Sequence, residues 1–313
     1  MGIRVALAGS AALALAAGGV AGAVLSAAPA TAATSFCTAP SAHGALAAKL
    51  SRDISGALAG RVDLVGVRVE DRRTGVECRI NEGHRFDSAS VVKATILAAL
   101  LRWHQETGRP LTANEKYLAT LMITQSDNNA ASALWNEVGR ARLQHFLNLA
   151  KMTETQLGPG GYWGLTQITA RDELQLLRLL TAPNSVLSNS SRAYQLGLMA
   201  RVISSQRWGV PAGAPSGVSV YVKNGWLPRA TRGWRINSIG AFQGHGRDYM
   251  IVVLSDNNPT MQYGVDTVQR VAEVVHRDLN AGLPPAGATL PSVSVPAAQQ
   301  VPDERIPALP NVP

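Results

Sequence analysis

The chain has 313 residues, 46% of them hydrophobic, and a formal charge of +8 from 29 basic and 21 acidic side chains. A chain this long and this apolar can bury a large core, as one domain or two intertwined lobes. No basic run exceeds three residues and no basic-aromatic stripe exists, which argues against a nucleic-acid binder. The two cysteines, with no CxxC and no HxxEH, argue against a metal centre, and no cofactor motif is present.

Arg4 precedes an uninterrupted apolar stretch, Val5 to Leu25, that closes on Ala28-Pro29-Ala30-Thr31-Ala32-Ala33. A charged start, an apolar run and small residues at the end read as a secretory signal peptide over residues 1–33. An exported chain is expected, secreted or associated with the cell wall. An oxidising destination makes a Cys37–Cys78 disulfide the natural pairing of the only two thiols. No later stretch is apolar enough to span a membrane, so no stable span is expected once the signal is cleaved. A monomer is expected.

In chain order, Ala42 to Leu58 reads as a helix, Val62 to Val69 as a strand, Asp71 to Gly75 as a turn and Val76 to Ile80 as its hairpin partner. Ser90 to Gln105, Ala113 to Ile123, Asn129 to Val138, Arg140 to Leu149, Ala170 to Leu180 and Arg192 to Ile203 carry helical patterns. Val218 to Val222, Arg235 to Phe242 and Tyr249 to Leu254 read as strands, and Thr267 to Leu279 as a closing helix. Strands from both chain ends can join one antiparallel sheet with an all-helical lobe inserted between them, an α+β or α/β-sandwich arrangement. The folded domain is expected over 34–281. Residues 282–313 hold eight of the 17 prolines and few large apolar groups, and read as a disordered tail.

Three short motifs carry chemistry. Ser90-Val91-Val92-Lys93 opens a predicted helix, where positions i and i+3 share a face and set an amine beside a hydroxyl. A serine alcohol needs a neighbouring base, and a desolvated lysine near a second cation can lose its proton and serve. Only five of the 29 basic residues are lysines (49, 93, 116, 151 and 223), so each retained lysine draws attention. Ser126-Asp127-Asn128 lies between predicted helices; its hydroxyl can relay a proton and its Asn amide can hold a substrate amide, although all three residue types also cap helices. Ser255-Asp256-Asn257 spells the same motif but reads as a turn before Asn258-Pro259. Lys223-Asn224-Gly225-Trp226 ends a predicted strand; the ammonium can anchor a carboxylate and Gly225 admits close approach of a ligand, while a plain Asn-Gly turn remains the alternative.

The order SxxK, SDN, KxG resembles the class A β-lactamases and penicillin-binding proteins, over roughly Ala42 to Leu279. The resemblance implies an acyl-enzyme on Ser90 with Lys93 as its base partner, Ser126 as proton shuttle and Asn128 as ligand of the substrate amide. Lys223 would hold the substrate carboxylate, and the N–H groups of Ser90 and Trp226 would form the oxyanion hole. It places the catalytic SDN between the other two motifs, so Ser126 and not Ser255 is the candidate. It implies small-molecule substrates: β-lactams, or peptidoglycan-derived amides and esters, the latter pointing to a D,D-peptidase-like or penicillin-recognising protein. Three departures stand out. Asn224 replaces the usual Thr or Ser, turning a hydroxyl contact with the carboxylate into an amide contact. Ser90 and Ser126 are only 36 residues apart, so part of the helical lobe is missing. The segment Gly158 to Leu165, where hydrolysing relatives carry a water-activating Glu and Asn, has no carboxylate; Glu154 precedes it and Glu173 follows it.

Overall fold

The computed structural model describes residues 35–281, so the signal-peptide and Pro-rich-tail readings lie outside the described residues. The elements are β1 (Cys37–Thr38), α1 (Gly44–Leu58), β2 (Leu64–Asp71), β3 (Val76–Ile80), β4 (Phe86–Asp87), α2 (Val92–Thr107), α3 (Ala113–Thr124), α4 (Asn128–Ala150), β5 (Gln167–Ile168), α5 (Ala170–Thr181), α6 (Asn189–Met199), β6 (Ser219–Pro228), β7 (Trp234–Gly244), β8 (Arg247–Asn258) and α7 (Met261–Leu279). The main sheet is antiparallel, in the order β1-β3-β2-β8-β7-β6. Strands from the two chain ends meet at the β2–β8 pair, and α2 to α6 form the inserted lobe. This is the expected mixed α/β arrangement.

The apolar run in β8 shows why the sheet is a middle layer. Met250, Val252 and Leu254 pack with the helical lobe, whereas Ile251 and Val253 pack with α1 and α7. Side chains alternate faces along a strand, so a run apolar at every position needs cover on both sides. The same alternation governs β6. Tyr221 packs on the helical-lobe face, while Val220, Val222 and Trp226 pack on the α1/α7 face. Odd-numbered positions of β6 therefore face the lobe, and β6 is an edge strand of the sheet.

Several expected features changed. The C-terminal SDN is no turn: Ser255 pairs with Val65 inside β8, and its hydroxyl donates to Ile236 O at 2.9 Å. Nor does Asn224-Gly225 turn the chain; Asn224 pairs with Ser238 and Gly225 with Asn237 in mid-strand. The α6 helix also stops at Met199, short of Ile203, because Ile203 N–H leaves the helical ladder for Thr124 O at the end of α3. The two helices read over 129–149 are both present, adjoining within α4 and separated at Gly139, whose φ of 74° breaks the helical ladder as expected. At the opposite edge, β1 sets Cys37 across from Cys78 and the two form a disulfide. No helix among the described residues is long and apolar enough to cross a membrane.

Candidate active site

Ser90 lies in the short 3-10 turn Ala89–Val91 that leads into α2, and is half-buried. The turn is entered through Ala89 at φ 46°, a conformation a non-glycine residue adopts only when its surroundings impose it. Those surroundings are identifiable. Asn237 Nδ2 donates to Asp87 O (2.9 Å) and Ser88 O (3.2 Å), Ser88 N–H donates to Thr166 O (2.8 Å), and Arg235 Nε meets the Asp87 carboxylate at 3.1 Å. On the sheet side Gly225 presses against the turn. A Cβ there would stand 2.8 Å from Ser90 N and 2.9 Å from Val91 N, so only glycine fits.

One helical turn on, the Lys93 side chain is fully buried. Its ammonium donates to Ser126 O (2.6 Å), Ser126 Oγ (3.1 Å) and Asn128 Oδ1 (2.8 Å). Lys223, also fully buried and odd-numbered on β6, donates to the same Ser126 Oγ at 3.0 Å and to Asn224 O at 2.9 Å. The Ser126 hydroxyl is thus suspended between two lysines. Ser126 itself sits at φ 58°, while its neighbour Asp127 caps α4 by accepting Ala130 N–H at 2.7 Å. The helix-capping reading of the motif holds for Asp127, while Ser126 faces the two lysines.

Burial pushes Lys93 well below the ordinary lysine value, the Lys223 charge pushes it further, and the Asp127 carboxylate opposes the shift. Burial alone lowers Lys223 to about 7. Two amines beside one hydroxyl, at least one of them readily neutral, can pass a proton between serines without any histidine or metal.

The amide contact expected of Asn224 is corrected by the period-2 alternation of β6: its side chain points to the α1/α7 face, away from Lys223. There Nδ2 donates to Gln206 O and Trp208 O, both at 2.8 Å, and Oδ1 accepts from Ser238 Oγ at 2.6 Å. Asn224 therefore ties β6 to the 206–208 segment. Asn128, by contrast, is exposed at the start of α4 with its amide beside Lys93.

Residues 158–165 flank the Ser90 turn and reach β6 at Leu227. Ser88 Oγ lies 3.5 Å from Trp163 O and 3.4 Å from Gly164 O, and Leu165 packs on Ala89. Arg140 braces the segment by donating to Gly158 O at 2.7 Å. Trp163 lays its ring 4.7 Å from Lys93 Nζ. Glu154 bonds Thr169 and Arg171 instead of entering the site. Glu173 is fully buried, and desolvation holds its carboxyl well above the usual range. Sequence reasoning missed Trp163 and Asn237. The only available signal was polar Asn237 within an apolar strand pattern; a lone Trp in a Gly-rich loop gave none. Among the described residues no cluster of His, Cys, Asp and Glu could hold a metal ion.

Sheet, inserted lobe and paired lysines define a serine hydrolase of β-lactamase type. A model of the β-lactamase enzyme family matches residues 103–279, more than half of the chain, and the chain belongs to that family. The matched region begins after Ser90 and Lys93, whose placement rests on the geometry above. Among solved structures, the fold is similar to the TLA-3 extended-spectrum β-lactamase (17% identity, TM-score 0.66, 74% of this chain and 98% of that one). It is also similar to a β-lactamase from Sphaerobacter thermophilus (19%, 0.63, 74% and 95%) and to a class A β-lactamase from Bacteroides cellulosilyticus (18%, 0.64, 74% and 97%). No curated protein matches the chain.

Proposed function

We infer that the chain is an exported acyl-transfer enzyme that takes β-lactams, or wall-derived amides and esters, onto Ser90. The carrying observation is the Ser126 hydroxyl held at 3.0–3.1 Å from two buried lysines, one of which, Lys93, follows Ser90 by one helical turn. Neutral Lys93 accepts the Ser90 proton as Oγ attacks the substrate carbonyl carbon. The N–H groups of Ser90 and Trp226 receive the oxyanion. Collapse of the tetrahedral adduct breaks the C–N bond, and Ser126 passes the proton from Lys93 to the leaving nitrogen. Asn128 holds the substrate amide, and protonated Lys223 faces the carboxylate. Export is supported by the charged start and apolar run of residues 1–33 and by the Cys37–Cys78 disulfide.

Acylation has its base and proton relay here, whereas residues 158–165 supply no carboxylate to activate water, and a positioned base contributes about 10²–10⁴-fold to such a step. That favours a D,D-peptidase-like or penicillin-recognising protein of the cell wall with slow β-lactam turnover over an efficient β-lactamase. Intact-mass measurement with a penicillin over time tests both levels. A one-equivalent adduct that persists is expected. Absence of any adduct removes the acyl-enzyme reading, and rapid multiple turnover of a chromogenic cephalosporin removes the slow-turnover reading.

A further inference from the structure

We propose that Trp163 is the residue that keeps water from the Ser90 ester, its indole acting as a fixed cover latched to α4 through Ser132. The proposal rests on the acyl-enzyme reading above and identifies which side chain of this chain sets the lifetime of that ester.

The Ser90 turn has two close neighbours. Gly225 of β6 stands against Ser90 N. The 158–165 segment packs on the same turn, with Leu165 in a cluster with Ala89 and Leu227 and the Trp163 and Gly164 carbonyls beside the Ser88 hydroxyl. Hydrolysis needs a water oxygen to add to the ester carbon and one water proton to pass to a base, for which Lys93 is the buried amine one helical turn from Ser90. The C–Oγ bond then breaks and Ser90 Oγ recovers a proton, leaving a carboxylic acid product.

The indole stands over that amine, its face 4.7 Å from Lys93 Nζ. Its only polar group, Nε1–H, is a donor with no lone pair and is already given to Ser132 Oγ at 3.0 Å. The side chain can neither accept a proton from water nor hold a water by donation. Lys93 is left wholly buried beneath it, facing Ser126 and Asn128. Arg140 fixes the start of the segment through Gly158 O and Leu157 O, so the cover is anchored at both ends.

Two variants of the full chain test this, Trp163→Ala and Ser132→Ala. The second residue is exposed on α4 and releases the latch without removing the ring. After a pulse of benzylpenicillin and removal of excess, intact mass follows loss of the acyl group. Trp163→Ala is expected to shed it at least about 10-fold faster than the parent chain, and Ser132→Ala to shift in the same direction by a smaller factor. Competitive labelling of lysines with acetic anhydride in unacylated protein reads the cover directly. Lys93 should resist in the parent chain relative to exposed Lys116 and Lys151, and become reactive in Trp163→Ala. Unchanged deacylation in both folded variants, or Lys93 labelled as fast as Lys116 in the parent, overturns the proposal. A parent chain that takes no acyl group refutes the acyl-enzyme reading, while the labelling comparison still decides whether Trp163 covers Lys93.

Discussion

Replacing Lys223 with alanine separates its two effects. The first is direct: a charge-assisted bond from a buried ammonium to a carboxylate contributes roughly 1.5–3 kcal/mol, about 10- to 150-fold in acylation rate. Only substrates bearing the carboxylate lose it, so the ratio of acylation rates for a penicillin and a neutral ester should fall by that factor. The second effect is indirect. The Lys223 charge depresses Lys93, so removing it raises the Lys93 pKa and moves the acid limb of acylation to higher pH for every substrate. In the parent chain the preference for carboxylates should itself fade as pH rises through about 7, where Lys223 loses its proton. Stopped-flow acylation of both substrates from pH 5 to 9 measures all three. Equal losses for the two substrates with an unmoved acid limb would refute the assignment and leave Lys223 a structural residue.

Other outcomes follow from the same geometry. Ser90→Ala should abolish labelling by an active-site-serine reagent, while Ser255→Ala, buried in β8, should label fully once folding is checked; strong labelling of the Ser90 variant would show that another serine reacts. The Cys37–Cys78 bond spans 41 residues, for which loop entropy gives about 4 kcal/mol of stability. Reduction should therefore lower the urea midpoint markedly, and two free thiols in denatured, unreduced exported protein would end the disulfide assignment.

The fold was largely legible because its signals are local and periodic. Helix starts fell close to their observed positions at the caps Thr112 before α3 and Thr169 before α5, but not at Thr260, which caps α7 at Met261, well before the Thr267 start read from the sequence. Ends were less legible where a tertiary bond sets them, as Thr124 O does for the residues after α6. The two-residue strands β1, β4 and β5 carry no period to detect. At the site, the meeting of Lys93, Ser126 and Lys223 was legible because helix spacing puts Lys93 one turn after Ser90 and the motif order resembles that of the family. The direction of Asn224 was not. A motif read as letters ignores that adjacent strand residues face opposite layers, and placing Lys223 toward the lobe forces Asn224 away from it. The placement of Trp163 was illegible for a different reason, since it depends on a loop path braced by Arg140 and Ser88.

The dual use of the Ser126-Asp127-Asn128 segment gives the sharpest remaining test. Ser126 holds a left-handed backbone conformation, which costs of order 1–3 kcal/mol unless neighbours impose it. Asp127 is one such neighbour: its carboxylate caps α4 and thereby fixes the residue that precedes the helix. The same carboxylate raises the Lys93 pKa against the larger effect of burial. Asp127→Asn keeps a side-chain oxygen for the cap while removing the charge. Stability should then change little, whereas the Lys93 pKa should fall, because the one charge favouring its protonated form is gone. The acid limb of acylation should accordingly move to lower pH, opposite in sign to the shift expected from Lys223→Ala. Asp127→Ala should show that same downward shift together with a loss of about 0.5–2 kcal/mol in stability from the missing cap. An acid limb that stays put in both Asp127 variants would mean that Lys93 is not the group titrating in acylation.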